Sequence, residues 1–204
     1  MKYPIFSQRN SSWSNEELGT GQGITIGGYG CTLTCVASLL VYFGKNTDPH
    51  QLNQDLIRIK GYANNGNGNY DLIIWSAITK LYPDVILVFN NLYPNNPADM
   101  SLIDRQLHKD IPVVVGVSFN HLPADTSPSH YVVLYQKNLN ESYQAMDPWT
   151  GSLINFNQNY AVNGMSVAQC ILQASSYNGP VPRQKMPSIF AVFWSKLVEN
   201  RPTL

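Results

Sequence analysis

The chain has 204 residues, 44% hydrophobic and 13% charged, with Lys+Arg 13 balanced by Asp+Glu 13. That length is enough for one domain with a substantial core, and zero net charge favours neither nucleic acid nor an anionic membrane as a partner. No apolar run reaches the length of a membrane span, and "MKYPIFSQRNSSW" lacks the apolar stretch of a secretory signal.

Charge is scarce, about half the usual share, and polarity is carried by Asn, Gln, Ser and Tyr. The cysteines, Cys31, Cys35 and Cys170, are odd in number. That argues against a disulfide scaffold and fits a reducing compartment. The cytoplasm is the default location, with phage association or release by lysis as the alternative. There is no internal repeat, charge block or long linker, so residues 1–204 read as a single domain.

In chain order, residues 7–30 read as irregular, with Trp13 as an anchor. "CTLTCVASLLVYFG" reads as a helix, with a helical stripe of apolar positions and Gly44 as its stop. "DPHQLNQDLIRIK" opens with Asp48 as N-cap and Pro49 at the first helical position. "YANNGNGNY" is a loop by composition, and "NNGNGN" within it, residues 64–69, is a candidate rim of a cleft. "DLIIWSAITKLYP" reads as a third helix ended by Pro83. "DVILVFN" is a strand and "MSLIDRQLHKD" a short helix. "IPVVVGVSF", "HYVVLYQ", "SYQAMDP" and "LINFN" are β-branched or aromatic runs between turn residues, and read as strands. "SVAQCILQAS" reads as a late helix, and "SIFAVFWSKLVEN" fits strand or helix equally. Helices first and mostly antiparallel strands afterwards define an α+β class.

Three polar points stand out. Cys31 follows a glycine-rich turn and heads an apolar helix. His130 begins an apolar strand, and Asp147 ends the next one. Consecutive strands joined by the polar turn "KNLNES" form an antiparallel hairpin, which brings the start of one strand beside the end of the other. His130 and Asp147 are therefore expected neighbours. A carboxylate orients the imidazole and stabilises its charged form. A cysteine at a helix N-terminus near an imidazolium is favoured as thiolate. Such a set hydrolyses acyl bonds through a thioester. It also needs oxyanion donors, for which the Cys31 backbone N–H and the Gln8 side chain are candidates.

The order "SQRN…W", "GYGCTLTCVASLLVYFG", "SHYVVL" and "MDPWTG" resembles the papain-like cysteine peptidases of the double-glycine, bacteriocin-leader-processing kind, over residues 5–155. The resemblance implies a papain-like fold, with the nucleophile helix packed on an antiparallel sheet. It implies Cys31 as nucleophile, His130 as general base, Asp147 as its orienter and Gln8 as oxyanion donor. It implies a peptide substrate, either a leader or a cell-wall peptide, and no metal or organic cofactor. Leader-processing members are usually fused to a transporter and an ATPase. This chain carries neither, and looks more like stand-alone relatives from phages and bacteria. Residues 156–204 contribute nothing to the resemblance.

Blander roles stand beside these. An isolated Cys is usually core, and Cys35, one turn on, reads as core. A Cys31–Cys35 zinc pair lacks further ligands. His121 is the rival base, in a polar loop that also suits the wall of a groove, and His50 and His108 read as solvated. Asp147 before Pro148 also suits a turn cap, and Gln is common on surfaces. Trp149 reads as a packing residue that shields the His–Asp pair. Two other functions use the same elements: acyl transfer to an amine in place of water, and a non-catalytic binding or structural module.

Overall fold

In the computed structural model, the structure describes residues 3–95, 97–122 and 124–180. The glycine-rich approach ends in one turn of helix, α1 (Ile26–Tyr29), followed after Gly30 by α2 (Cys31–Tyr42). Ten of the twelve residues of α2 are buried, including Leu33, Cys35, Val36, Leu39 and Leu40. A helix apolar on nearly every side belongs in the interior, and the fold is assembled around it. α3 (Pro49–Arg58) starts as expected, with the Asp48 carboxylate accepting the Gln51 N–H at 2.7 Å.

The next segment departs from the sequence reading. Residues 71–73, expected to open the helix, belong instead to strand β2 (Tyr70–Ile73), paired with β1 (Tyr62–Asn64). The asparagine- and glycine-rich run is thus the tip of a hairpin, and α4 begins only at Trp75 (Trp75–Leu81). A short apolar run such as "YDLII" satisfies both periods, and cross-strand pairing decided between them.

The remaining strands form one antiparallel sheet: β3 (Ile86–Leu92), β4 (Val113–Val117), β5 (His130–Lys137), β6 (Tyr143–Asp147), β7 (Ser152–Asn155) and β8 (Ile171–Asn178). Their order is β3-β8-β4-β5-β6-β7. Helix α5 (Met100–Leu107) precedes β4, and the single turns α6 (Phe156–Asn159) and α7 (Val167–Cys170) lie between β7 and β8. Here the late helix of the sequence reading is corrected. Only Val167–Cys170 is helical, closed by a Ser166–Gln169 capping box, and Ile171 onward enters the sheet between β3 and β4. Strand β8 carries Ala174, Ser175 and Ser176 at its centre, all fully buried. Pairing on both edges outweighs the weak strand preference of such residues.

The sheet buries both faces. Val114, Val133 and Met146 pack with Cys35 on the α2 side. Val113, Val115, Val117, Val132 and Leu134 pack with Ile103 and Leu107 of α5 on the other. This is the period-2 alternation of a strand covered twice. The α+β class and the antiparallel sheet are as the sequence reading had them. Its ambiguous segment "SIFAVFWSKLVEN" lies outside the described residues.

Candidate active site

Cys31 is the first residue of α2, and its position depends on a break. α1 and α2 would form one helix if the Cys31 N–H bonded to the Gly27 carbonyl. That carbonyl instead accepts the Gln8 side-chain amide, Nε2 to O at 3.0 Å. Among the described residues the Cys31 N–H has no backbone acceptor. The break thus leaves a free amide at Cys31, with the Gln8 Nε2 on the Gly27 carbonyl.

Gln8 is held firmly for a residue in an irregular segment. It is 1% exposed. Its own N–H donates to the Pro148 carbonyl at 2.9 Å. Trp13, the anchor expected from sequence, donates its indole N–H to the Ser7 carbonyl at 2.9 Å and meets Phe6 edge-on. Behind this segment, Gly151 has a φ of 63°, and a Cβ there would come within 2.6 Å of Ser7 Cβ. A glycine in that turn lets the two segments close on each other.

His130 and Asp147 meet as the hairpin topology requires. Val133 pairs with Met146 and Leu134 with Ala145, which sets the β5 start beside the β6 end. His130 Nε2 donates to Asp147 Oδ1 at 2.9 Å, with both side chains buried. Nδ1 is thereby left for the Cys31 thiol, which lies close enough to raise the His130 pKa. Burial works to lower the His130 pKa, but the hydrogen bond to Asp147 and the nearby Cys31 thiol, with their charges, raise it from 6.5 to about 9. Burial likewise works to raise the Asp147 carboxyl. The bond and charge of His130, then Tyr160 and the Trp149 amide, bring it below its usual value.

The other expectations sort cleanly. Cys35 is wholly buried, its Sγ 3.3 Å from the Tyr131 carbonyl, and burial pushes its thiol well up. Cys170 is buried in the opposite cluster, its thiol pushed up to about 12 by burial. His50 is exposed but paired with Glu16 at 2.7 Å, and His108 is exposed. His121 does not reach Asp147, and its ring lies 5.4 Å from that of Tyr160. Trp149 donates its backbone N–H to Asp147 Oδ1 at 2.8 Å, while Phe119 sits edge-on between its ring and His130.

Sequence reasoning missed Tyr160. Its hydroxyl donates to Asp147 Oδ2 at 2.8 Å, and its ring stacks 6.2 Å from that of His130. Nothing near "NQNYAV" signals this, because the contact is made by the chain turning back after β7. Beside Cys31 opens a cleft of about 380 Å³, with Tyr29, Leu72, Trp75, Leu92, Pro128 and Tyr131 in its wall. Its wall takes in Asp71, Leu72 and Ile73 of β2 but none of residues 64–69, the loop expected as its rim.

An antiparallel sheet with a cysteine-headed helix against one face, and a His–carboxylate pair at the end of its strands, is the papain-like cysteine-peptidase fold. The chain belongs to the Peptidase_C39 like family, whose model matches residues 1–171. The match extends beyond the stretch that carried the resemblance in sequence and takes in Tyr160. No curated protein and no solved structure matches the chain. The family supports a function of cysteine-peptidase type, acting on peptide. Among the described residues, no helix is long and apolar enough to cross a membrane.

Proposed function

We propose that the protein is a cysteine hydrolase that cleaves an amide bond through a Cys31–His130–Asp147 triad, with Gln8 and the Cys31 amide as oxyanion donors. The observation that carries this reading is the buried, hydrogen-bonded His130–Asp147 pair near a cysteine that heads a helix. The Cys31 sulfur attacks the substrate carbonyl carbon, and the carbonyl oxygen becomes the oxyanion. The Cys31 N–H and the second hydrogen of Gln8 Nε2 stabilise it. The C–N bond then breaks, and the leaving amine takes its proton from His130. Water, deprotonated by His130, attacks the thioester, the C–S bond breaks and the acid leaves. Asp147 holds the imidazole in one orientation throughout.

The proposed substrate is an extended peptide, a leader or a cell-wall peptide, lying in the cleft beside Cys31. The exposed side chains of Tyr29, Leu72 and Leu92 along that cleft suit apolar and neutral residues.

Brief iodoacetamide labelling at pH 6, followed by peptide mass mapping, tests the site without a known substrate. Cys31 should label while Cys35 and Cys170 do not, since burial keeps both of those thiols protonated. Labelling should fall at least about tenfold in His130→Ala. Equal labelling of Cys31 in the two proteins would remove the ion pair on which the mechanism stands.

A further inference from the structure

The mechanism leaves one pair beside the site unused. The Arg9 guanidinium lies over the Trp149 ring, 3.5 Å from its centroid. The two residues follow directly on Gln8 and on the Asp147-Pro148 turn. The Gln8 N–H to Pro148 carbonyl bond ties their backbones together. The Arg9 N–H also donates to Ser7 Oγ at 3.1 Å. Arg9 is exposed, yet among the described residues it has no carboxylate within ion-pair distance and no side-chain hydrogen bond. Stacking on an aromatic face leaves the in-plane N–H donors of a guanidinium free for a carboxylate.

The position of the pair relative to the chemistry gives it a role. A leaving amine must collect its proton from His130, so the leaving half of the substrate departs over the imidazole. The acyl half then occupies the cleft beside Cys31. On the imidazole side the structure offers Phe119, 5.2 Å from the His130 ring, then Trp149, 5.1 Å from Phe119, then Arg9. Phe119 is 38% exposed and so forms a shelf that a peptide can lie on. The acyl-side cleft holds no Lys or Arg in its wall. Among the described residues lining the two sides, the positive charge is Arg9, on the leaving side.

Resting on the Cys31–His130 reading above, we infer that Arg9 on Trp149 forms a leaving-side subsite that binds a carboxylate of the substrate. The carboxylate is either an acidic side chain or the free end of the peptide. By microscopic reversibility the same subsite selects an incoming amine. An acceptor's amino nitrogen attacks the thioester carbonyl, the new C–N bond forms, the C–S bond breaks, and the amine's proton passes to His130.

Partitioning of an acyl-enzyme tests this with any acyl donor. The protein is acylated with p-nitrophenyl acetate, and the thioester is offered glycyl-glutamate amide, glycyl-glutamine amide, glycyl-lysine amide, glycylglycine or glycylglycine amide. Each ratio of aminolysis to hydrolysis is measured within one variant, so that changes in acylation rate cancel. At low ionic strength the carboxylate acceptors should be used about fivefold better than their amide counterparts, and salt should erode the difference. Preference for glutamate over glutamine locates the recognised group on a side chain. Preference for glycylglycine over its amide locates it at the peptide end. Arg9→Gln should abolish the preference, and Arg9→Glu should turn it toward the lysine acceptor. Acylation without carboxylate preference, or a preference that survives Arg9→Gln, overturns the subsite alone. Acylation that is absent, or that persists in Cys31→Ala, overturns the hydrolase reading and the subsite with it.

Discussion

Asp147 collects three donors inside a buried pocket. His130 Nε2 and the Trp149 N–H reach Oδ1, and the Tyr160 hydroxyl reaches Oδ2. Each favours the anion, so together they offset the burial that would otherwise push the carboxyl up. Hydrogen bonds to a charged group contribute about 1.5–3 kcal/mol. Tyr160→Phe deletes one of them while keeping the ring against His130. We expect it to raise the Asp147 pKa and move the acid limb of the pH–rate profile upward, with the alkaline limb little changed. An acid limb that stays in place would mean the hydroxyl serves packing alone. The imidazole can be followed directly. Because the Cys31 thiol helps raise the His130 pKa, its NMR titration should move down in Cys31→Ala.

The two elements that set up Cys31, the proposed nucleophile, are α1 and α2, and the residue between them is glycine for a steric reason. A Cβ on Gly30 would lie 2.6 Å from the Ile26 carbonyl oxygen and 2.8 Å from Ile26 Cγ2. Ile26 is fully buried and cannot move aside. Gly30→Ala should therefore cost about 1–3 kcal/mol. For a chain of this size, each kcal/mol lowers the melting temperature by about 2–4 °C, which thermal denaturation would read. It should also slow labelling of Cys31, since the junction orients the first turn of α2. A variant as stable and reactive as the parent would show that the junction has slack. The helix at 31–42, the cap at Asp48 and the β5–β6 hairpin were legible because short-range signals set them: an apolar run, a capping carboxylate, a polar turn between β-branched strands. The β1–β2 hairpin and β8 were not. Both are short runs whose partner lies elsewhere in the chain, and pairing chose between two patterns that fit locally.

At the scale of the molecule, the site couples folding to pH through His130. Its folded pKa of about 9 lies above the ordinary 6.5, so its contribution to stability is fully present below about pH 6.5. That contribution is lost as pH rises through 9. Asp147 has the opposite sense. Its folded pKa is depressed, so its contribution is present above the ordinary carboxylate pKa and is lost as pH falls through the folded value. Denaturant titrations should show stability falling between pH 6.5 and 9 in the parent protein and a flatter dependence in His130→Gln. Equal slopes would mean that other groups set the alkaline loss.

The sequence by itself determined the class of secondary structure, the helix headed by Cys31, and the adjacency of His130 and Asp147. These follow from period, caps and hairpin connectivity, which act over a few residues. The tertiary structure decided what depends on distant segments meeting. Gln8 reaches the Gly27 carbonyl that α2 would otherwise use, β8 is inserted between β3 and β4, and Tyr160 returns to Asp147. No local pattern encodes such contacts, because burial and hydrogen-bond satisfaction are properties of the packed chain.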